Sequence, residues 1–211
     1  GFEGKVFPVN PKADEVEGDL TCVYKGKLEK YTRSLMFAKP DIYFLYDRVK
    51  SPEAHSFQWL FHTEDTDRNS AITQDGTRFR IERPKARMVM DVLSPDVTAR
   101  VRLAERDERF LQLSSAKGLK EAEFLAVMVP AAKKDANAPE IKATSSLVRA
   151  QGWTGAKVET GGRVVRAFFR TGAPGISTVD GITTDAERFT VEGDAAGGVK
   201  NVFMRGSELR I

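Results

Sequence analysis

The segment Thr77-Arg78-Phe79-Arg80-Ile81-Glu82-Arg83 decides the fold, because polar and apolar side chains alternate along it without interruption. Successive side chains of a β-strand point to opposite faces, so Phe79 and Ile81 are predicted to face a core and the charged residues between them to face outward. Asp75-Gly76, just before it, has the composition of a hairpin turn, since glycine tolerates the positive φ that short turns require. The segment therefore predicts a strand of an antiparallel sheet.

The same period of two recurs along most of the chain. His55-Ser56-Phe57-Gln58-Trp59-Leu60-Phe61-His62 predicts one strand with Phe57, Trp59 and Phe61 on a single face. Further strand-like runs, separated by segments of turn composition, cover residues 20–24, 32–38, 42–49, 87–93, 98–103, 109–114, 162–170, 188–192 and 200–205. Short strands at this regular spacing predict an all-β antiparallel fold, a sandwich or a barrel.

Residues 119–129 could form either a helix or a strand. Glu121, Ala122 and Glu123 favour a helix, yet residues 124–129 form a short, continuous apolar run that Pro130 follows. Such a run is typical of a strand that is buried on both faces, and a buried strand over 119–129 is the prediction. Residues 131–141 carry charge without apolar period and predict a mobile surface loop.

Length and composition limit the domain count and the compartment. A chain of 211 residues can form one sandwich, and a single domain over 1–211 is expected. Cys22 is its only cysteine, so no intrachain disulfide can form. No apolar run approaches the roughly 20 residues that a membrane helix needs, and no membrane partner is expected.

The charge pattern argues against a nucleic-acid partner. Lys and Arg number 33 against 30 Asp and Glu, a net charge of +3, and both signs are spread along the chain. The basic clusters alternate with apolar residues and are interpreted as solvated strand faces, with a groove for an acidic polymer as the alternative. Their members are Arg78, Arg80, Arg83, Lys85 and Arg87, and Arg163, Arg166 and Arg170. In the alternative, Arg78 and Arg80 are the candidate substrate-binding residues.

His55 and His62 are the only histidines, and in one regular strand they would point to opposite faces. No shared metal site is therefore predicted. His62 precedes the acidic segment 64–67 at a strand end and is the candidate general acid or base, or a metal ligand together with those carboxylates. The alternative is a histidine that a backbone group or carboxylate satisfies. Segment 64–67 and the acidic run Asp14, Glu15, Glu17 and Asp19 are interpreted as solvated rather than calcium-binding.

Trp153 is the aromatic residue singled out for a sugar ligand. It lies between Gly152 and Thr154-Gly155 in a loop-like context, whereas a core role is expected for most other aromatic residues. The glycine pairs 161–162 and 197–198 precede strands, so no phosphate-binding helix terminus is expected.

Residues 18–65 resemble the C-terminal part of heparinase II/III-like polysaccharide lyases. The shared pattern is an arginine on one strand (Arg33), the turn Lys39-Pro40-Asp41, an apolar strand ending in Asp47-Arg48, and a strand ending in Trp59-Leu60-Phe61-His62. The resemblance implies a supersandwich-like β-sandwich that packs beside an N-terminal α/α toroid, and a lyase that acts on heparin, heparan sulfate, alginate or related uronate polymers. It also implies a periplasmic or secreted protein.

In that family the catalytic residues lie mainly in the toroid, and a zinc site lies early in the sandwich. The resemblance here begins downstream of the zinc segment, so it transfers no catalytic or zinc residue. Arg33, Asp47 and His62 correspond to scaffold or interdomain positions, with His62 the one to test for catalysis. No cofactor is expected within this chain, and zinc would belong to the parent protein.

Three functions follow as hypotheses. The first is the accessory C-terminal sandwich of a uronate-cleaving lyase, with the toroid and an acidic polysaccharide or oligosaccharide as partners. The second is a stand-alone carbohydrate-binding or protein-interaction module. The third is a free-standing enzyme built around His62.

Overall fold

The computed structural model describes residues 3–6, 13–63, 71–103, 109–135 and 139–211. These residues form nineteen strands in four sheets and one 3₁₀ turn at Thr21–Tyr24. Every strand pair is antiparallel. Among the described residues, no helix has the length and apolar character to cross a membrane.

The largest sheet, called the central sheet, has the strand order β1-β2-β3-β4-β11-β8-β7-β6. Its strands are β1 (Glu3–Val6), β2 (Ala13–Asp19), β3 (Lys30–Ala38), β4 (Ile42–His55), β6 (Ala71–Asp75), β7 (Arg78–Glu82), β8 (Ala86–Val92) and β11 (Leu119–Ala132). The front sheet is β5 (Gln58–His62), β10 (Arg109–Ser115) and β9 (Val97–Leu103), in that order.

The other two sheets lie on the opposite side. The rear sheet is β12 (Ala143–Ala150), β13 (Trp153–Thr160), β14 (Arg163–Arg170), β17 (Arg188–Asp194) and β18 (Val199–Arg205), in that order. The cap sheet is β15 (Ser177–Val179), β16 (Ile182–Thr184) and β19 (Leu209–Arg210).

Three apolar cores join these sheets into a stack of four layers in the order front, central, rear, cap. The front core joins the front and central sheets, as Trp59 with Phe79 illustrates. The middle core joins the central and rear sheets, as Phe44 with Ala167 illustrates. The cap core joins Trp153 of the rear sheet to Ile182 of the cap sheet. The predicted all-β antiparallel sandwich is confirmed.

Strand β11 shows why residues 124–129 are apolar throughout. Phe124 and Ala126 lie in the front core, whereas Leu125 and Val127 lie in the middle core. The strand is buried on both faces, as predicted, because a sheet covered on both sides leaves no polar face. It continues through Pro130, which pairs only with β8, since pairing with β4 ends at Met128. A proline is tolerated there because it lacks a second neighbouring strand that needs its N–H.

Several sequence predictions hold in position and facing. Phe79 and Ile81 are buried in β7, and the intervening Arg80 is exposed. Gly76 forms the β6–β7 turn with a φ of 58°. Of the predicted loop over 131–141, residues 131–132 belong instead to β11, residues 133–135 and 139–141 lie in no strand, and residues 136–138 lie outside the described residues.

Other predictions are wrong. Residues 21–24 form a 3₁₀ turn rather than a strand, because the Asp19 carboxylate accepts a bond from the Thr21 N–H at 2.9 Å and no strand in the described part of the chain pairs with this segment. The acidic run before residue 20 is not a solvated loop but strand β2, and Glu15 is 1% exposed.

The segment 55–62 is two strands. It crosses between sheets at Ser56-Phe57, so His55 ends β4 in the central sheet and His62 ends β5 in the front sheet. The alternation of burial survives the crossing, with Phe57 and Trp59 buried. The prediction that His55 and His62 point to opposite faces of one strand is therefore wrong, because the two residues lie in different strands.

One buried hydroxyl ties β8 to β11 and gives a first prediction. The Ser94 hydroxyl, 6% exposed as a residue, accepts a bond from the Leu125 N–H at 2.6 Å. We expect Ser94→Ala to lower the free energy of unfolding by about 1–3 kcal/mol, because the buried N–H loses its partner. Urea unfolding measures the change. Ser146→Ala, at an exposed position of β12, is the control, and an equal loss in both variants would contradict the assignment.

Candidate functional site

The central sheet extends beyond the rear sheet, and its uncovered part is polar. On the face toward the rear sheet, the last row of the middle core pairs Tyr46 with Leu125. Because every second residue shares a face, the next two rows continue that face past the core. The first row is Thr32, Arg48 and Glu123, and the second is Lys30, Lys50 and Glu121.

These two rows form one wall of a cleft of about 680 Å³, here called the ledge cleft. The opposite wall is the end of the β12–β13 hairpin, which contributes Arg149 and Thr154. The segment Ser94–Val97 closes one side. The ledge cleft exists because the core stops at Tyr46 while strands β3, β4 and β11 run on.

Glu123 lies between two arginines in the ledge cleft. Its Oε1 is 3.9 Å from the Arg48 Nε, and its Oε2 is 3.7 Å from an Arg149 terminal nitrogen. Both distances permit attraction but exceed hydrogen-bond length. The carboxylate accepts a hydrogen bond from the Thr154 hydroxyl at 3.3 Å. The two guanidinium groups are close to half exposed, at 43% and 48% of their side chains.

Tyr46 lies at the inner end of this cluster. Its residue is 3% exposed, and its ring stacks on Phe169 with 4.7 Å between centroids. Burial raises its pKa first of all, and the Glu123 carboxylate raises it further. Glu123 and Thr154 are close enough to affect that pKa, yet the Tyr46 hydroxyl makes no well-formed hydrogen bond with any described residue. The Tyr46 hydroxyl is therefore buried behind two residues of the cleft lining, Glu123 and Thr154.

A second cleft, of about 590 Å³, lies on the front side of the same strands. Asp47, 2% exposed, is held there by Arg33 through bonds of 2.8 and 2.6 Å and by the Tyr31 hydroxyl at 3.1 Å. The Arg33 guanidinium also lies 5.7 Å from the Trp59 ring centroid. Asp47 thus has its charge matched inside the fold, which agrees with the first of the two roles, scaffold or interdomain, that the resemblance implied for Arg33 and Asp47.

Of the three predicted substrate-binding residues, Arg78 and Arg80 lie elsewhere, whereas Trp153 borders the ledge cleft. Arg78 bonds both oxygens of Asp91 at about 3 Å and the Ala143 carbonyl at 2.6 Å, so its donors tie the central sheet to the rear sheet. Arg80 is exposed and paired with Glu140. Neither residue lines the two clefts described above.

The expectation that Trp153 is exposed is wrong. It is 1% exposed in β13, its indole N–H donates to the Ser177 hydroxyl at 3.0 Å, and the Arg170 guanidinium lies 4.3 Å from its ring centroid. A ring buried to this degree offers no open face to a sugar.

The interpretation of the second basic cluster as a solvated face is also wrong. Arg163 donates to Asp41, Glu192 and the Lys39 carbonyl, each at 2.7 Å, and so joins the rear sheet to the β3–β4 turn. Arg166 pairs with Asp180 at 3.0 Å. These arginines are structural.

His62 is exposed, and its ring stacks on Phe110 with 5.1 Å between centroids. It lines neither cleft. Its predicted acidic neighbours, 64–67, lie outside the described residues. Across the part of the chain that the structure describes, no group of three or more His, Cys, Asp or Glu residues could hold a metal ion.

The sequence reasoning missed Arg48, Arg149 and Glu123 as a group. A signal was present for Arg48, because it shares the facing of the core residues Phe44 and Tyr46 yet carries a charge. A charged residue at a core-facing position near a strand end indicates that the core stops there. Arg149 had no such signal, since its strand was not predicted.

Comparison with solved structures gives the class of fold. The chain is similar to a heparan sulfate lyase of Pedobacter heparinus, with a TM-score of 0.58 and 10% identity over 82% of this chain and 28% of that one. It is also similar to a heparinase III, with a TM-score of 0.54 and 10% identity over 79% and 27%. A heparinase III with methylated lysines gives 0.58 and 13% over 80% and 27%.

At these identities the likeness is one of fold. No protein-family model matches the chain, and no curated protein matches it significantly in sequence. The chain spans less than a third of the length of the solved chains that it matches. The predicted resemblance to heparinase-like lyases is confirmed at the level of fold, and the chain has the sandwich fold found in part of those lyases.

Proposed function

We propose that this chain is the C-terminal accessory β-sandwich of a polysaccharide lyase that cleaves uronate-containing polysaccharide by β-elimination. The likeness of this β-sandwich to part of heparan sulfate lyase structures is the observation that carries the proposal. In this proposal the sandwich supports an N-terminal α/α toroid and shapes one wall of the substrate cleft. Zinc, a periplasmic or secreted location, and action on heparin or alginate belong to the same proposal for the parent protein.

The proposal assigns catalysis and support to different domains of the lyase. β-Elimination neutralises the uronate carboxylate, removes the C5 proton with a base and protonates the departing glycosidic oxygen. In the front cleft, the Asp47 carboxylate is held by Arg33 and by the Tyr31 hydroxyl. The resemblance to heparinase-like lyases assigns the catalytic base and acid mainly to the toroid.

We expect this chain alone to release no unsaturated product from heparin or alginate. The absorbance of the unsaturated uronate follows the reaction. Product formation that His62→Ala abolishes would favour the free-standing enzyme and overturn the assignment of catalysis to the toroid. Product formation that survives His62→Ala would overturn it as well.

The parent architecture has its own test. We expect the reading frame upstream of Gly1 to encode several hundred residues with helical periodicity and a segment with paired histidines. A start codon close to Gly1 would contradict the lyase proposal and favour the alternative, a stand-alone carbohydrate-binding or protein-interaction module.

A further inference from the structure

Arg48 and Arg149 differ from the structural arginines of this protein. Arg33, Arg78 and Arg163 each donate at least three hydrogen bonds to carboxylates, carbonyls or both. By contrast, Arg48 and Arg149 approach Glu123 only at 3.9 and 3.7 Å. A guanidinium group carries five N–H donors in a planar fork, so these two present unused donors to the ledge cleft.

Arg48, Arg149 and Glu123 together carry a net charge of +1, whereas the other charged residues of the lining, Lys30, Lys50, Asp96 and Glu121, balance one another. Lys30 is paired with Asp19 at 2.7 Å, and Lys50 with Glu29 at 2.9 Å. Two arginines share the one carboxylate of Glu123, which leaves one positive charge without a partner among them. Because the side chains are only half exposed and the cleft is concave, this charge is screened less than on an open surface.

The cleft also has the means to bind a sugar ring. Its volume of about 680 Å³ is in the range of small-molecule sites. Thr32 and Thr154 line it, and the Thr154 hydroxyl donates to Glu123 at 3.3 Å. Glu123 itself can accept bonds from sugar hydroxyls.

We propose that the ledge cleft is a subsite for an acidic sugar residue, whose oxyanion group is bound between the Arg48 and Arg149 guanidinium groups. A carboxylate or a sulfate ester has two oxygens on one atom, and an arginine guanidinium can bind such a pair with two parallel N–H···O bonds. The inference deepens the proposed function and rests on it for the class of ligand. It requires no catalysis, so the subsite would position polymer for a neighbouring catalytic domain.

Calorimetric titration of the chain with oligosaccharides tests the subsite. The ligands are alginate oligosaccharides, which carry carboxylates alone, heparin oligosaccharides, which carry carboxylates and sulfates, and neutral dextran. We expect binding of an acidic ligand and none of dextran. Binding of alginate identifies the carboxylate as the recognised group, and binding of heparin alone identifies the sulfate. Equal binding of dextran, or binding of neither acidic ligand, would overturn the proposal.

The matched variants separate this cleft from general attraction between charges. We expect Arg48→Gln/Arg149→Gln to weaken binding at least about tenfold, because charge-assisted hydrogen bonds are lost. Arg100→Gln/Arg102→Gln removes the same charge from exposed positions of the front sheet and should leave binding within about twofold. Equal weakening in both double variants would overturn the subsite. Should the first double variant fail to fold, Arg149→Gln alone, at an exposed residue, gives the same comparison against Arg100→Gln.

Glu123→Gln supplies a readout that a purely structural cluster would not give. The amide retains an acceptor for the Thr154 hydroxyl but removes the charge that competes for both arginines. We expect binding of the acidic oligosaccharide to tighten several-fold. Unchanged or weaker binding would contradict an anion held between Arg48 and Arg149. This outcome is independent of the upstream reading frame, so the subsite and the lyase proposal can fail separately.

Discussion

Arg188→Met is expected to destabilise the protein by about 3–5 kcal/mol, the cost typical of breaking a buried ion pair from one side. Arg188 in β17 is 5% exposed and pairs with Glu15 and Glu17 of β2. These pairs connect the rear sheet to the central sheet. Removing the guanidinium would leave Glu15, itself 1% exposed, as a buried charge without its main partner. Urea unfolding at neutral pH measures the loss.

Two further variants identify the cause. Arg210→Met breaks an ion pair with Glu208 at a side chain that is 78% exposed, and we expect a loss below about 1 kcal/mol. Arg188→Met/Glu15→Met replaces the buried pair with apolar groups and should recover most of the stability. A double variant as unstable as Arg188→Met would mean that the cost came from packing rather than from the unpaired carboxylate.

The pH dependence of the same variant follows from Glu15. Burial raises the pKa of Glu15, while Arg188 and then Arg205 act to lower it. With its folded pKa above its unfolded pKa, the folded state binds more protons between the two values, so this group's contribution to stability falls as pH rises through that window. Loss of Arg188 removes the main lowering influence and widens the window. We therefore expect the deficit of Arg188→Met to shrink as pH falls toward about 4, and a deficit independent of pH would contradict this account.

The buried ion cluster marks a limit of sequence reasoning. Glu15, Glu17 and Asp19 alternate, and their charge suggested a solvated segment before the first strand. The partner that allows Glu15 to be buried is Arg188, which lies more than 170 residues away in sequence. Local patterns identify β7 by its alternation of apolar and charged residues and β11 by its continuous apolar run. A pairing of charges between sheets has no local signature.

The candidate site was only partly predictable, because it too depends on residues that different sheets bring together. The segment that carried the family resemblance contains Asp47-Arg48, and the two residues point to opposite sides of the central sheet. Asp47 faces the front cleft and is paired with Arg33, whereas Arg48 faces the ledge cleft with Arg149. Arg149 reaches this position only through the β12–β13 hairpin. Sequence could indicate the strand, but only the stacking of the rear sheet brings the second arginine to the same cleft.

The glycines around Trp153 explain why its burial was missed. Gly152 has a φ of 77° at the β12–β13 turn, which is the role that the sequence suggested. Gly155 lies within strand β13. Glycine is needed at this position because a Cβ atom there would come within 2.3 Å of the Ala167 carbonyl oxygen and 2.6 Å of the Phe168 ring. Glycine is present for a close approach between strands rather than for a loop. Gly152 is needed for a turn and Gly155 for a close contact between strands, but in the sequence the two together resemble one exposed loop.

Trp153→Ala is therefore expected to lower the free energy of unfolding by about 3–5 kcal/mol, as for other large aromatic side chains removed from a core. The ring packs edge-on against Phe189 with 5.4 Å between centroids and lies beneath the Arg170 guanidinium, so its removal opens a cavity between the rear and cap sheets. Thermal and urea unfolding measure the loss.

Trp153→Phe separates packing from hydrogen bonding. It keeps an aromatic ring but removes the indole N–H, and the Ser177 hydroxyl still accepts a bond from Arg170 at 2.7 Å. We expect it to cost less than half as much as the alanine variant, because the cavity term dominates. Tyr24→Ala removes an aromatic ring that is 43% exposed and should change stability little. An equal loss of unfolding free energy in Trp153→Ala and Tyr24→Ala would contradict this account. It would mean that the packing of the cap sheet does not depend on the buried Trp153 ring.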